Sequence, residues 1–339
     1  MTDFKAIKGF NVKSLAADPL TAGIAGATWA SGGSLNTARQ QSASFGTQNA
    51  SLIASGYRPL TAATESYNGS AWTEVNDVNT AREGIKGFGT TTAGLAFMGQ
   101  TPGPNRVGNT ESWNGTSWAE VNDLNSGRFI GASSIQGTST AGLAFGGAPP
   151  QLTVELWDGT SWTEVAELNN GSQYLAGAGT STAALAIGGQ PEDAGTTESW
   201  NGTAWTELND LNTNRWGLGS SGSQTEALAF GGNNDPAFFA VTEAWNGTSW
   251  SEVADLATTK TYLMGSGTQT SALATGGGVS ATSLAGTEEF TAATITDTIK
   301  NEGQIYYNST AGTMNVTAIV YGTGAWASGG NLNTARRSG

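Results

Sequence analysis

The chain has no cysteine and no histidine in 339 residues, and only 14 lysines and arginines against 27 aspartates and glutamates. Without cysteine there is no disulfide, so stability has to come from burial and strand pairing. Zinc or copper sites built on imidazole or thiolate are excluded, as is every Ser-His-Asp or Cys-His nucleophile system. Chemistry is left to carboxylates, lysine, tyrosine and backbone, and no cofactor or metal is expected; calcium on loop carboxylates stays open, without an EF-hand pattern. The deficit of basic residues, a formal net charge of −13, disfavours nucleic acid, whose phosphates need clustered Lys and Arg. Long apolar runs are missing as well. Nothing continuous and hydrophobic follows Lys5, Lys8 and Lys13, so neither a signal peptide nor membrane insertion is expected.

What is present is periodic. A unit close to TESWNGTSW-x-EV returns with its Glu at positions 65, 111, 155, 198, 243 and 288, and a Trp follows seven residues later at Trp72, Trp118, Trp162, Trp205 and Trp250. The gaps between the Glu residues are 46, 44, 43, 45 and 45, a period that indicates propeller blades. Each unit holds four strand-like pieces. In one copy these are a stretch near Gly131 to Ile135, the apolar run Thr140 to Gly147 closed by two glycines, Thr153 to Trp157, and a strand opened by Trp162. Asp158-Gly159, like Asn68-Gly69, Asn114-Gly115, Asn201-Gly202 and Asn246-Gly247, is read as a tight hairpin turn with positive φ at both central residues. Four of these turns are Asn-Gly-Ser/Thr sequons, but the turn itself demands Asn-Gly, and glycosylation is not expected without a secretory signal. Six apolar-Gly strands and six Glu strands give an all-β fold, a six-bladed propeller with four-stranded antiparallel blades.

The ends break the period. Trp29 to Arg39, WASGGSLNTAR, matches the outer strand of a blade but has no blade of its own, whereas the sixth copy has Ile295 where its Trp is due. An N-terminal strand that fills the last blade closes the ring and removes two exposed edges. Trp326 to Arg336, WASGGNLNTAR, repeats that strand at the other end, and Gly303 to Val316 reads as a hairpin between. The alternatives to N-terminal closure are that this second copy closes the ring instead, pairs with another subunit, or opens a further unit. The organisation expected is a leader over 1–28, a propeller over 29–290 with 29–39 in its last blade, and a C-terminal extension over 291–339.

At these residues the chain resembles the kelch repeat family. Gly146-Gly147, Glu155 with Trp157, Trp162, and the ten-residue step from Trp72 to Arg82, Trp118 to Arg128 and Trp205 to Arg215 fit its pattern. Leu124-Asn125 stands where the family has Met-Pro, and Ser55-Gly56 stands for Gly-Gly. A narrower resemblance, carried by the near-identical Thr- and Gly-rich copies with WASGGNLNTARR and GQIYYNST, is to repeat proteins of tailed bacteriophages, especially marine ones. It implies a non-enzymatic virion structural protein, a tail fibre or other appendage, that works outside the cell after lysis. Its partners would be other virion proteins or copies of itself, through the terminal segments. The alternatives are a bacterial protein- or glycan-binding propeller and a carboxylate-based glycoside hydrolase.

Candidate sites divide into repeated and unrepeated residues. Eleven of the 12 Trp hold repeat positions and are assigned to packing between sheets; Trp216 is the exception. The basic set Arg39, Arg82, Arg128, Arg215, Lys260 and Arg336 reads as a ring on one face, either an anion-binding crown or partners of nearby exposed acids such as Glu74 and Asp77. Repeated Glu residues argue against one privileged acid pair of a glycosidase, with Asp235 and Glu192-Asp193 the loop carboxylates left over. The connections between the Gly-Gly and Glu strands diverge and hold seven of the eight prolines. Divergent loops on a rigid scaffold are where such folds bind. The candidate ligand-binding residues are therefore Tyr57, Arg58, Arg106, Asp235, Phe238, Phe239 and Trp216, with host-surface glycans as the ligand class.

Overall fold

The computed structural model describes residues 24–190, 195–293, 305–308 and 313–316. Six four-stranded antiparallel sheets are the blades of a β-propeller. Blades 1 to 5 cover residues 43–75, 86–121, 132–164, 176–207 and 219–252, each ordered from the axis outward in chain order. Blade 6 takes its inner three strands from Met264–Gly267, Ser271–Thr275 and Thr287–Thr291, and its outer strand from Thr28–Ser31. Trp29 stands opposite Phe290 in that pairing. Gly32 and Leu35 continue it, donating to the carbonyls of Thr287 and Ala285 at 2.9 Å each. The ring is thus closed within blade 6, by hydrogen bonds between the N-terminal strand and Thr287–Thr291, and the chain runs on from that strand into blade 1; the pairing leaves no unpaired edge on Thr287–Thr291. Separately, Ile305–Asn308 and Thr313–Val316 form an antiparallel hairpin within the unit from Thr294 onward. Trp326 to Arg336, most of the leader and Glu192-Asp193 lie outside the described residues.

Aromatic side chains fill the wedges between blades. Each outer-strand Trp stacks on the aromatic residue that precedes its hairpin, as in Trp113 with Trp118 and Trp245 with Trp250, both at 5.2 Å between centroids. The same Trp also reaches the preceding blade, where Trp205 meets Phe145 at 5.2 Å and Trp162 meets Phe97 at 4.9 Å. Its indole N–H needs an acceptor once buried. Trp72, Trp162, Trp250 and Trp29 find one in the hydroxyls of Thr287, Thr110, Thr197 and Thr242, at 3.0–3.1 Å. Trp205 packs with Val154 in its core cluster, in the place of that threonine, and its Nε1 has no partner among the described residues.

The hairpins differ from their sequence reading. Trp113 pairs with Trp118, so the loop has four residues, not two, and only its glycine takes positive φ, at +92° for Gly115. The Asn is required for another reason: Asn114 Oδ1 accepts from the backbone N–H of Thr116 and Ser117 at 2.9 Å each, which makes it the side-chain half of the turn.

Among the described residues, the basic residues ten after a Trp (Arg39, Arg82, Arg128, Arg215 and Lys260) form neither a crown nor exposed pairs. They are buried, and each binds the repeat Glu of the next blade. Arg39 pairs with Glu65, Arg82 with Glu111 at 3.1 Å, Arg128 with Glu155 and Arg215 with Glu243 at 2.5 Å, and Lys260 with Glu288 at 2.8 Å. Burial holds the four arginines below their ordinary pKa, with the paired glutamates opposing it. The other carboxylate oxygen accepts from the backbone N–H seven residues after the Trp, for example Asn125 to Glu155 at 2.8 Å, and from that Asn side chain at 2.9 Å. Exposed partners such as Glu74 lose because a buried carboxylate needs every donor it can reach. Gly99, Gly147 and Gly232 make room for the arginine of their blade: at Gly147, with φ +129°, a Cβ would sit 3.1 Å from Arg128 Cδ.

Breaking a buried pair leaves its partner uncompensated, so Arg128→Ala is expected to lower unfolding free energy by about 3–5 kcal/mol in urea titration. Val154→Thr restores the missing acceptor for Trp205 and is expected to raise the midpoint, by up to about 1 kcal/mol. A fall there would show that Trp205 is already satisfied.

Candidate functional site on the loop face

In every blade the segment leading in from the previous blade and the loop after the Gly-Gly strand emerge on one face, held together by short bridges such as Gln40 with Tyr57 and Trp216 with Asn233. At the centre of that face lies a ring that sequence reasoning missed. Gly84 N–H donates to Gln41 C=O at 3.0 Å, Ile130 to Gly84 at 2.9 Å, Tyr174 to Ile130 at 2.8 Å, Gly217 to Tyr174 at 2.8 Å, Tyr262 to Gly217 at 2.6 Å, and Gln41 to Tyr262 at 3.1 Å. Six backbone hydrogen bonds therefore form a closed cycle about the axis. All six residues take positive φ between 52° and 65°, although four of them are not glycine. Such a backbone costs on the order of 1–2 kcal/mol per non-glycine residue, and the cycle supplies the bonds that hold it.

Two ring residues carry aromatic side chains, and Trp216 lies between them in space. Tyr174 is 5.1 Å from Trp216 and 5.3 Å from Tyr262, and Trp216 is 5.7 Å from Tyr262, centroid to centroid. Trp216 is only 8% exposed, so most of its ring is spent on packing. Of the other sequence candidates, Arg58 and Asp235 are exposed and their charges reach the Tyr262 hydroxyl. Arg58 also stacks over Tyr57 at 5.3 Å and reaches Glu83, a half-buried carboxyl whose pKa burial raises and whose oxygen accepts from Gln100 Nε2 at 2.9 Å. Phe238 and Phe239 are half-buried, and Phe238 bridges to Asn233, which in turn bridges to Trp216. Arg106 stands over Phe129 at 5.6 Å, on a small hairpin of blade 2. The structure thus gathers Arg58, Asp235 and Trp216 with Tyr174, Tyr262 and Glu83 around the ring. It places Tyr57 beside them, Phe238 one bridge away through Asn233, and Arg106 one residue away through Gln100, its strand partner and the donor to Glu83.

Below the ring the axis is hollow. A cavity of about 40 Å³ is lined by Ser42, Ser44, Lys86, Ser133, Ser220 and the inner-strand backbone, and a smaller one of about 20 Å³ continues it to Tyr174 and Tyr262. A larger space of about 210 Å³ lies by blade 5 against Ile24 and Ala25. Among the described residues no cluster of acids could hold a metal ion.

Burial raises the pKa of Tyr174, of Tyr262, and of Tyr67, the last to about 12 with help from its bond to Glu289. The unfolded chain ionises these phenols near pH 10, while the folded chain still holds their protons. The stability they contribute is therefore full below pH 10 and is lost as pH rises towards 12 and beyond. Phenolate absorbance in an alkaline titration is expected to show three tyrosines ionising only as the chain unfolds, two in Tyr262→Phe.

A solved structure, of YjhT, is similar in fold, with a TM-score of 0.64 at 11% identity over 75% of this chain and 95% of that one. At that identity the likeness shows the six-bladed propeller fold and nothing finer. No protein-family model and no curated protein sequence matches the chain.

Proposed function

We propose that the protein is a non-enzymatic, kelch-type recognition and assembly module of a tailed-phage virion appendage, which contacts host-surface glycans through its loop face. The observation that carries the recognition half is the convergence of Trp216, Tyr174, Tyr262, Arg58 and Asp235 on the ring. Aromatic groups flanked by charged and amide groups suit sugar rings, which offer apolar faces and hydroxyls together. The repeat glutamates are committed to buried structural bonds, which supports the non-enzymatic reading. The virion setting rests on the resemblance of the repeats and termini to phage proteins.

The assembly half rests on the terminal copy. Residues 326–336 differ from 29–39 only by Asn331 in place of Ser34. The first copy shows what that sequence binds: its Trp stacks on Phe290 at 5.1 Å, its Gly32 joins Thr287, and Asn36 and Arg39 take the carboxylate of Glu65. A second copy of this chain offers the same groove, so partner exchange through 326–336 would link subunits.

Two measurements test these readings. Binding of the whole chain to arrays of bacterial surface oligosaccharides is expected to fall at least tenfold in Arg58→Ala, Asp235→Ala and Trp216→Phe. Binding unchanged in all three removes the loop-face reading, and turnover abolished by Glu83→Gln overturns the non-enzymatic one. Light scattering of the full chain is expected to show an assembly that Trp326→Ala with Arg336→Ala reduces without changing the melting temperature; an unchanged mass sinks the exchange.

A further inference from the structure

The inner strands place one residue of each blade at the same depth on the axis, fourteen after each Trp: Ala43, Lys86, Ala132, Ala176, Gly219 and Met264. Four of the six are alanine or glycine and one is methionine. Lys86 alone is charged, and the small residues leave the space its chain occupies. The next level alternates Ser44, Gly87, Ser133, Gly177, Ser220 and Gly265. Three of the four channel serines are spent as donors, Ser42 to Ser55 C=O at 2.9 Å, Ser133 to Gly87 C=O at 2.9 Å and Ser220 to Gly177 C=O at 2.8 Å. Ser44 and the Lys86 ammonium have no hydrogen-bond or ion-pair partner among the described residues, and both line the 40 Å³ cavity.

We propose that this axial cavity is a binding site for one small inorganic anion of the halide class, held by Lys86 Nζ and the Ser44 hydroxyl. Lys86 is half-buried, its ammonium faces a narrow cavity with no protein partner, and the wall offers no carboxylate, so an anion that enters supplies the missing counter-charge. The size limits the choice, because this room admits roughly two or three water-sized particles and no sugar or nucleotide. Leu175, Leu218 and Leu263 line the same space, which lowers the local dielectric and strengthens the contact. Tyr174 and Tyr262 are the other titratable groups facing it, and burial keeps both phenols neutral.

Crystals of the whole chain soaked in sodium bromide are expected to show an anomalous bromine peak within hydrogen-bond distance of Lys86 Nζ, lost in Lys86→Met. An ordered water there instead, or a peak that persists in Lys86→Met, overturns the site. In solution, replacing gluconate by bromide at constant ionic strength is expected to raise the melting temperature of the natural protein and of Lys86→Arg, but not of Lys86→Met or Lys86→Gln. The rise should fade as pH passes the lysine's pKa, which burial brings down to about 8. Equal rises in all variants, or a rise independent of pH, count against it.

Discussion

A carboxylate buried on the third strand of each blade sets the terms for the rest of the structure. Out of water, Glu65, Glu111, Glu155, Glu198, Glu243 and Glu288 must have their lone pairs filled. In every blade the donors come from the segment that leads in from the blade before. The constant donor is a backbone N–H: Asn36, Asn79, Asn125, Asn169, Asn212 and Ala257 each give theirs to the glutamate, at 2.6–2.8 Å. Side chains vary around it. Ser172 stands where the other blades have Arg or Lys, and Glu198 is satisfied instead by the N–H of Asn169 and Asn170 and the Asn169 amide. The guanidinium is thus an addition to a backbone clamp rather than its basis.

That clamp explains the ring. Once the residues seven and ten after the Trp are fixed against the next blade, the chain has two residues in which to reach the axis and turn into the inner strand. Positive φ at the twelfth makes the turn, and the repeated geometry puts six such residues within reach of one another. A closed cycle tolerates no missing member. The outer strand borrowed from Thr28–Ser31 matters for the same reason, since it carries the chain to Arg39 and hence to Gln41.

The sequence displays what the side chains encode and conceals what the backbone does. Trp, Glu and Gly-Gly recur as residue types, so blade number and strand order could be read from spacing. The ring could not, because Gln41, Gly84, Ile130, Tyr174, Gly217 and Tyr262 share no chemistry, only a distance from a Trp. Trp216 drew notice for standing outside the pattern. Its neighbours Tyr174 and Tyr262 lie 42 and 46 residues away and gave no local sign of meeting it. The arginines were legible as a set but not in their partners. Proximity along the chain pointed to Glu74 and Asp77, whereas burial favours a carboxylate 26 to 29 residues on, as in Arg39 with Glu65 and Arg82 with Glu111.

The same division bears on recognition. Each ring N–H is spent on the neighbouring ring carbonyl, so the ring backbone itself has no donors left for a ligand. In the proposed recognition role, selectivity would come from side chains, those of Arg58, Glu83, Tyr174, Trp216, Asp235 and Tyr262, set on a frame that does not depend on their identity. Glycine and isoleucine serve the cycle at Gly84 and Ile130 as tyrosine does at Tyr174. Substitution at the mouth can therefore alter these side chains while the clamp and the cycle stay intact, as the recognition role proposed above would require.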